Sequence, residues 1–450
     1  MIDTLPRADW TKRADLAALV KALGANEQGT NARYVGGAVR DTLLGLAVKD
    51  VDIATPLEPQ AVMRRLKGAQ IRSIPTGIEH GTVTALIASG PVEITTLRRD
   101  VATDGRRATV AFSDDWREDA ARRDFTINAL YADPATLDIF DYFGGLADLK
   151  ARRVRFIGDA HERIREDHLR ILRYFRFQAR FGSGPADEAA ESACAELAAT
   201  LKGLSRERVG MELFNLLALP DPAPTVARMT ELGVLPVILP EARPEALAAL
   251  VAEEHRQDIA PDPIRRLAAL LPADVELAGQ VAARFRLSGA QKKRLMCASG
   301  RDEKPLPFRS LGLDGPRQSK SSPGDWTAPN WVGVGPVPAR RAAPKGQPPP
   351  PTPSPEEEGA KHARTLAYRL GIEQALDRLL LTGADTAPLK GWTIPTFPLK
   401  GGQIVARGVK AGPEVARLLR AVEDRWVDEE FPGGERVDEL LGEEVADGMG

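Results

Sequence analysis

Residues 50–52 read Asp-Val-Asp and continue into an apolar run at Ile53. Strand side chains alternate faces, so Asp50 and Asp52 point one way, and Val51 and Ile53 point the other, into a core. Two carboxylates side by side repel each other unless a cation lies between them. Mg²⁺ takes hard oxygen ligands from one or two carboxylates together with phosphate oxygens. Just upstream, Gly36-Gly37 follows the short apolar strand Tyr34-Val35 and opens a helix that carries Arg40 and Asp41. Backbone N–H groups at a glycine turn and helix start suit phosphate oxygens. Each feature alone has a plain reading, the glycine pair as a turn and the acidic pair as a solvated strand end. Their spacing, with Arg40 and Asp41 between, favours a phosphate cradle and a metal site held together.

Two further segments carry candidate chemistry. Arg122-Arg123-Asp124-Phe125-Thr126-Ile127-Asn128-Ala129-Leu130 begins with adjacent arginines. They cannot share one face, so at least one reaches outward, and the planar guanidinium fork suits phosphate. The functional reading puts Arg123 on a triphosphate or sugar, with Asp124 and Asn128 orienting the site. The alternative is a surface helix with an internal Arg–Asp pair. The second segment, Arg163–Phe181, predicts one helix. Asp167 and Arg170 stand at i and i+3 on one face, with Arg173, Arg176 and Arg180 continuing roughly along it. Ile171, Phe175 and Gln178 lie elsewhere, partly buried. Spacing alone favours a salt-bridged solvated face here, through Glu166–Arg170 and Arg163–Asp167.

The elements that must position these residues follow from periodicity. Residues 15–24 make a short amphipathic helix closed by Gly24. A strand over 82–88, a turn at Gly90-Pro91 and a returning strand over 92–97 form a hairpin. On the returning strand Glu93 and Thr95 face away from Val92 and Ile94. Glu93 is therefore either a third carboxylate beside Asp50 and Asp52 or a solvated sheet residue. Residues 100–119 read as a long polar loop. The glycines Gly144-Gly145 mark either a hinge or a plain turn. Residues 160–300 show helical spacing almost throughout.

The fold class is thus α+β, a mixed-sheet head followed by helical domains. The boundaries are an N-terminal helix (1–30), a catalytic head (31–150), a helical neck (151–225), a helical body (226–302), a proline-rich insert (303–359) and a helical tail (360–450). The insert holds 14 of the 35 prolines, including Pro348–Pro351, and is expected to be disordered or an extended linker. Deleting 303–359 is expected to leave activity intact. The tail, with Pro398–Val409 and a helix around 413–426, reads equally as an RNA contact or a helical cap.

The pattern GGAVRDTLLG followed by KDVDI resembles the first motif of the polymerase-β-like nucleotidyltransferases. More narrowly it resembles the class II tRNA CCA-adding and bacterial poly(A) polymerase family. RRDFTINAL and EDHLRILRYFRF match that family closely, and the resemblance covers most of 30–300 and part of 360–430. It implies that VEITTLR carries the third carboxylate, Glu93. It implies two Mg²⁺ held by Asp50 and Asp52, and phosphates held by Gly36, Gly37 and Arg40. Arg123, Arg173 and Arg176 would add charge at the nucleotide, and Asp167 with Arg170 would read its base. A carboxylate accepts from the exocyclic amine that adenine and cytosine share, and an arginine donates to their ring nitrogen. Guanine and uracil oppose both, and a buried site built for such bonds rejects the wrong partner by about 10⁴-fold. The implied activity is untemplated addition of C, C and A to the tRNA 3′ end from CTP and ATP. The loop at 100–119 favours full CCA addition. Alternatives are a poly(A) polymerase, a partial CC- or A-adding enzyme, and a non-catalytic RNA-binding protein on this scaffold. A basic stretch of the poly(A) polymerase kind is missing at Pro75–Gly81, which favours CCA addition.

Composition narrows the class. At 450 residues the chain has length for roughly three domains. Its net charge is −2, so any RNA contact must come from local arginine clusters and not a global basic field. Cys194 and Cys297 are the two cysteines, far apart and without metal-ligand spacing, which fits a reducing cytoplasm. The first residues lack an apolar signal core, and no run is long enough to cross a membrane. The C-terminal half has no adjacent His-Asp pair of the kind a phosphohydrolase would need. His80 reads as structural. No protein partner is implied.

Overall fold

The computed structural model describes residues 4–25, 31–103, 108–301 and 354–448. The chain forms two compact units. One comprises 1–251 with 260–295, and the other 252–259 with 296–450.

The first unit opens with α1 (Ala14–Ala22), whose Leu16 and Leu19 are fully buried. This helix packs on the head. A mixed sheet follows from β1 (Arg33–Val35), β2 (Asp52–Thr55), β3 (Arg72–Gly77), β4 (Thr82–Ile87), β5 (Gly90–Thr96), β8 (Leu130–Ala132) and β9 (Ile139–Asp141). Its order is β3-β4-β5-β2-β1-β8-β9, with β2 parallel to β5 and the other pairs antiparallel. Between these strands lie α2 (Gly37–Leu43), α3 (Pro59–Gly68) and α4 (Trp116–Ala121). Proline at the first position of α3 fits the missing N–H there, and the Asp115 carboxylate accepts from the Arg117 N–H to start α4.

The expected hairpin of residues 82–97 is present as β4 and β5. The expected polar loop over 100–119 is not a loop. β6 (Arg98–Thr103) and β7 (Ala108–Phe112) pair as an antiparallel hairpin, and α4 follows directly. The tip, 104–107, lies outside the described residues. The short run Ala108-Thr109-Val110-Ala111-Phe112, with its β-branched and aromatic residues, carried the strand signal that the flanking charges obscured.

The helical part of this unit runs through α5 (Gly145–Lys150), α6 (Ala160–Glu166), α7 (Arg170–Phe181), α8 (Glu188–Glu196), α9 (Arg206–Leu217), α10 (Ala223–Glu231), α11 (Leu235–Ile238), α12 (Pro244–Arg256), α13 (Pro263–Leu270), α14 (Val275–Arg284) and α15 (Gly289–Ser299). The last residues of α12 and α15 belong to the second unit. The predicted single helix over 163–181 is broken. Asp167 is extended, at φ −150°, and its side chain accepts from the Leu169 N–H at 3.1 Å. That local turn competes with the helical ladder and separates α6 from α7.

The second unit contains α16 (Pro355–Leu370), α17 (Ile372–Leu381), α18 (Gly401–Ala406), α19 (Pro413–Asp428) and α20 (Gly434–Gly448). Trp426, Leu440 and Leu441 centre one of its apolar clusters. The proline-rich segment falls outside the described residues over 302–353. Its last six residues do not. Ser354 and Glu357 form a reciprocal capping box that starts α16. The tail helix therefore begins before residue 360, and a deletion through 359 would remove its cap and first turn.

The pair Gly144-Gly145 is a tight joint between sheet and neck. Gly144 has φ +78°, and a Cβ on Gly145 would lie 2.3 Å from the backbone oxygen of Thr126. The Thr126 hydroxyl donates to the fully buried Asp148 at 2.7 Å, and Arg155 Nε donates to the same carboxylate at 3.0 Å. Gly145→Ala is therefore expected to destabilise the protein by about 1–3 kcal/mol through overpacking against backbone. Urea denaturation measures it, and an unchanged midpoint would contradict a close-packed joint.

Candidate active site

A cavity of about 430 Å³ opens between the sheet and α7. Gly36, Gly37, Arg40, Asp52, Arg122, Arg123, Asp124, Asn128, Asp167, Arg170, Arg173 and Phe177 line it. Most of the residues singled out from sequence thus meet in one cleft.

The glycine turn closes β1 and caps α2. Gly36 has φ +70°, a conformation that side chains other than glycine rarely adopt, and its N–H donates to Leu130 O at 3.0 Å. One turn into α2, Arg40 is buried. It donates to Asn128 Oδ1 at 2.5 Å and to Asp41 at 2.8 Å, and it sits 4.1 Å over the Phe181 ring. Burial pulls its pKa down, and Asp41 opposes that.

Asp52 begins β2 and lies directly opposite Glu93 of β5 in the parallel register. Directly opposed residues share a sheet face, so the two carboxylates stand side by side. Val51 and Ile53 are buried, and Ile94 is buried beside Glu93 on its strand. Asp50 is not on the strand but in the exposed approach to it. Burial raises the Asp52 pKa to about 6, with Glu93 and Asp50 adding to the rise and Arg123 opposing it. Neither Asp50 nor Glu93 lines the cleft; both act on Asp52 from its edge. Among the described residues no three His, Cys, Asp or Glu side chains already form a metal cage. Asp52, with Glu93 opposite it and Asp50 two residues before it, is nonetheless a hard-oxygen donor set that fits a divalent cation completed by phosphate oxygens.

Arg122 and Arg123 do not diverge as the sequence suggested. Both bind Asp119, a fully buried carboxylate of α4, Arg122 Nε at 2.8 Å and Arg123 through its terminal nitrogen at 3.2 Å. The chain leaves the helix at Ala121, so positions three and four beyond Asp119 both reach back to it. Tyr131 donates to Asp119 at 2.7 Å as well. Burial pushes the Asp119 pKa up, but Arg123 and Arg122 outweigh it and hold it at about 2.

Asp124 is the next buried anion. Its side chain accepts from Asn128 Nδ2 at 2.9 Å, from its neighbour Phe125 N–H at 2.9 Å, and from Arg173 Nε at 2.8 Å. Burial raises its pKa, and Arg173 with Asn128 more than reverses the rise. Asn128 thus links Arg40 on α2 to Asp124, and Asp124 links onward to Arg173 on α7.

On the opposite wall Asp167 accepts from Arg208 at 2.8 Å. Arg170 donates to Glu166 at 2.5 Å, to Arg163 O at 2.9 Å and to Arg122 O at 3.3 Å. The Glu166–Arg170 pair read from spacing is present, while Arg163 pairs with Glu166 in place of Asp167. Arg176 does not line the cleft; its Nε is tied to Glu212 at 2.6 Å. Arg180 pairs with Asp41 at 3.2 Å. His80 is exposed and holds no core position. Asp119, Phe177, Arg208 and Glu212 were not singled out from sequence. The i+3 and i+4 spacing from Asp119 to Arg122 and Arg123 was a usable signal for the first. The others meet their partners only through tertiary packing.

The comparisons with known proteins agree with this geometry. The model of the poly A polymerase head domain matches residues 32–155. A second model, described as a probable RNA and SrmB-binding site of polymerase A, matches 187–245. The mouse mitochondrial CCA tRNA nucleotidyltransferase 1 is 38% identical over 296 residues, 63% of this chain and 68% of the mouse protein. The chain belongs to the CCA-adding enzyme and poly(A) polymerase family. The human mitochondrial counterpart of that nucleotidyltransferase is 49% identical over 189 residues, 41% of this chain and 43% of its own length. A crystal structure of the Bacillus stearothermophilus CCA-adding enzyme in complex with CTP superimposes with a TM-score of 0.64. That match has 25% identity and covers 97% of this chain and 99% of that one. As a member of this family, the chain carries the head domain over residues 32–155, which hold the whole of the mixed sheet.

The raised pKa of Asp52 has a stability consequence. Its folded value, about 6, lies above the ordinary 3.8, so its share of folding stability is full below 3.8 and lost as pH rises through 6. Asp52→Asn is therefore expected to be more stable than the native protein above pH 6, by about 3 kcal/mol, with the gap closing towards pH 4. Urea titrations at pH 4.5 and 7.5 measure it. Equal gaps at both pH values would contradict an electrostatically crowded Asp52.

Proposed function

We propose that the protein is a template-independent tRNA nucleotidyltransferase that adds C, C and A to the tRNA 3′ end from CTP and ATP, releasing pyrophosphate. The observation that carries this reading is the position of Asp167 and Arg170 on the wall of the cleft that also holds Gly36, Arg40 and Asp52. Base and triphosphate can then be gripped at once. The relatives' names, and the CTP complex of the Bacillus stearothermophilus enzyme, support the same substrates.

The residues divide the work. Gly37, the first residue of α2, offers its backbone N–H to phosphate oxygens, while Gly36, whose own N–H is spent on Leu130 O, supplies the turn; Arg40 and Arg123 supply charge. Asp167 keeps acceptor capacity for an exocyclic amine. Arg170 has five N–H donors and commits three to protein partners, which leaves donors for a ring nitrogen. Asp50 and Asp52, with Glu93 assisting, would hold Mg²⁺. Bound there, such a cation supplies Lewis-acid stabilisation of the phosphate charge and a lower pKa for the attacking 3′-hydroxyl. Asp52 must be ionised to serve, so protons compete with the cation, and the Mg²⁺ concentration needed for half-maximal activity is expected to rise as pH falls below about 6. Cys194 and Cys297 are free thiols, which supports action in a reducing compartment, the cytoplasm. No described helix is long and apolar enough to cross a membrane.

The test uses tRNA transcripts ending before CCA, after C and after CC, each incubated with Mg²⁺ and CTP, ATP or both, followed by 3′-end sequencing. The expected product is C-C-A and then a stop. A long A tail would show a poly(A) polymerase, a stop after CC a partial adder, and no addition an RNA-binding protein. Asp52→Ala is expected to abolish transfer and leave tRNA binding nearly intact. Substantial residual turnover would refute the metal assignment.

A further inference from the structure

The two residues read as contacting the base do not touch each other. Asp167 lies in the break between α6 and α7, in extended conformation, with its side chain partly exposed. A short acid in such a turn has few packing contacts to fix its rotamer, yet selection of an amine over a carbonyl needs its oxygens held in place. Apart from the turn bond to the Leu169 N–H, its hydrogen bond comes from Arg208 of α9, at 2.8 Å.

α9 bears on the cleft a second time, one turn later. Glu212 stands at i+4 from Arg208, on the same helix face. It accepts from Arg176 Nε at 2.6 Å and faces Arg173 at 3.7 Å, the same Arg173 that donates to Asp124. One helix thus holds an acid of the cleft through an arginine and two arginines of α7 through an acid. The depth of α9 is itself fixed. Gly210 lies against Phe285, where a Cβ would be 3.0 Å from the phenylalanine Cβ. Arg266, fully buried on α13, donates to Leu217 O at 2.7 Å and to Pro220 O at 2.9 Å, closing the C-terminal end of α9.

We infer that Arg208 is a specificity-determining positioning residue, holding the Asp167 carboxylate in the orientation that accepts an exocyclic amine and rejects a carbonyl. The inference rests on the reading of Asp167 and Arg170 as the base-contacting pair. Arg208 does not line the cleft, so its removal acts through Asp167 and not through lost substrate contact.

The experiment measures kcat/KM for CTP against UTP on transcripts lacking CCA, and for ATP against GTP on transcripts ending in CC. Arg208→Gln and, as a second probe that keeps an unbranched stem, Arg208→Met are compared with Asp167→Ala. In both Arg208 variants the preference for CTP over UTP, and for ATP over GTP, is expected to fall about tenfold or more, the scale of one charge-assisted hydrogen bond. Arg208→Lys is expected to restore much of it, since it keeps the charge and a donor. A uniform loss of kcat with all four nucleotides, with both ratios unchanged, would mean that Arg208 only supports the fold, and would overturn the inference. If Asp167→Ala leaves the ratios unchanged, the reading of Asp167 itself fails and the inference goes with it. If Asp167→Ala changes them and neither Arg208 variant does, the inference alone is wrong.

Discussion

A buried carboxylate must be paired, because an isolated charge removed from water costs several kcal/mol even after relaxation. Asp124 is such a group, and the way it is paired organises the cleft. Its partners come from two places, Asn128 in its own segment and Arg173 on α7. Asn128 has a second task, accepting from Arg40 on the helix that the glycine turn starts. The glycine turn, the arginine motif and α7 are therefore joined by one unbroken path of hydrogen bonds. The Arg40 end and the Arg173 end of the cleft cannot shift independently without leaving one of these groups unpaired.

The same logic explains how a chain of net charge −2 presents an arginine-lined cleft. Each lining arginine has an acidic or carbonyl partner behind it. Asp119 supports Arg122 and Arg123, Glu166 supports Arg170, and Asp124 supports Arg173. Pairing fixes the guanidinium planes, so the positive field is local and pre-oriented, which is what transfer of a charged phosphoryl group requires. Arg33 shows the contrasting use of the residue. It lies 3.5 Å over Phe140 and 4.1 Å over Trp116, where its role is packing.

Much of this was legible in the sequence because it is local. Alternation set Asp52 against Val51 and Ile53 and set Glu93 against Val92 and Ile94, the family resemblance brought the two acids together, and the register sets them directly opposite. The glycine pair marked a backbone position that a side chain would strain, and Gly36 adopts it. What stayed hidden depends on distant partners or on competing local bonds. Asp167 breaks a helix that periodicity draws straight through it, because its side chain captures the Leu169 N–H. Gly144-Gly145 reads equally as a hinge or a plain turn until Thr126 is found against Gly145. Arg176 shares a helix face with Arg173, yet Glu212, 36 residues on, draws it away from the cleft. The hairpin of β6 and β7 was hidden by the run of charged residues through Arg98, Arg99 and Asp100, which reads as loop composition.

The most direct test of the Asp124 junction is a double-mutant cycle between Asn128→Ala and Arg173→Met, read as kcat/KM for CTP addition, with circular dichroism confirming that each variant is folded. Two groups that share one buried carboxylate must be coupled. The account predicts an interaction energy of about 1 kcal/mol or more between the two substitutions. Additivity to within about 0.5 kcal/mol would mean that the two ends of the cleft act independently, and would contradict it.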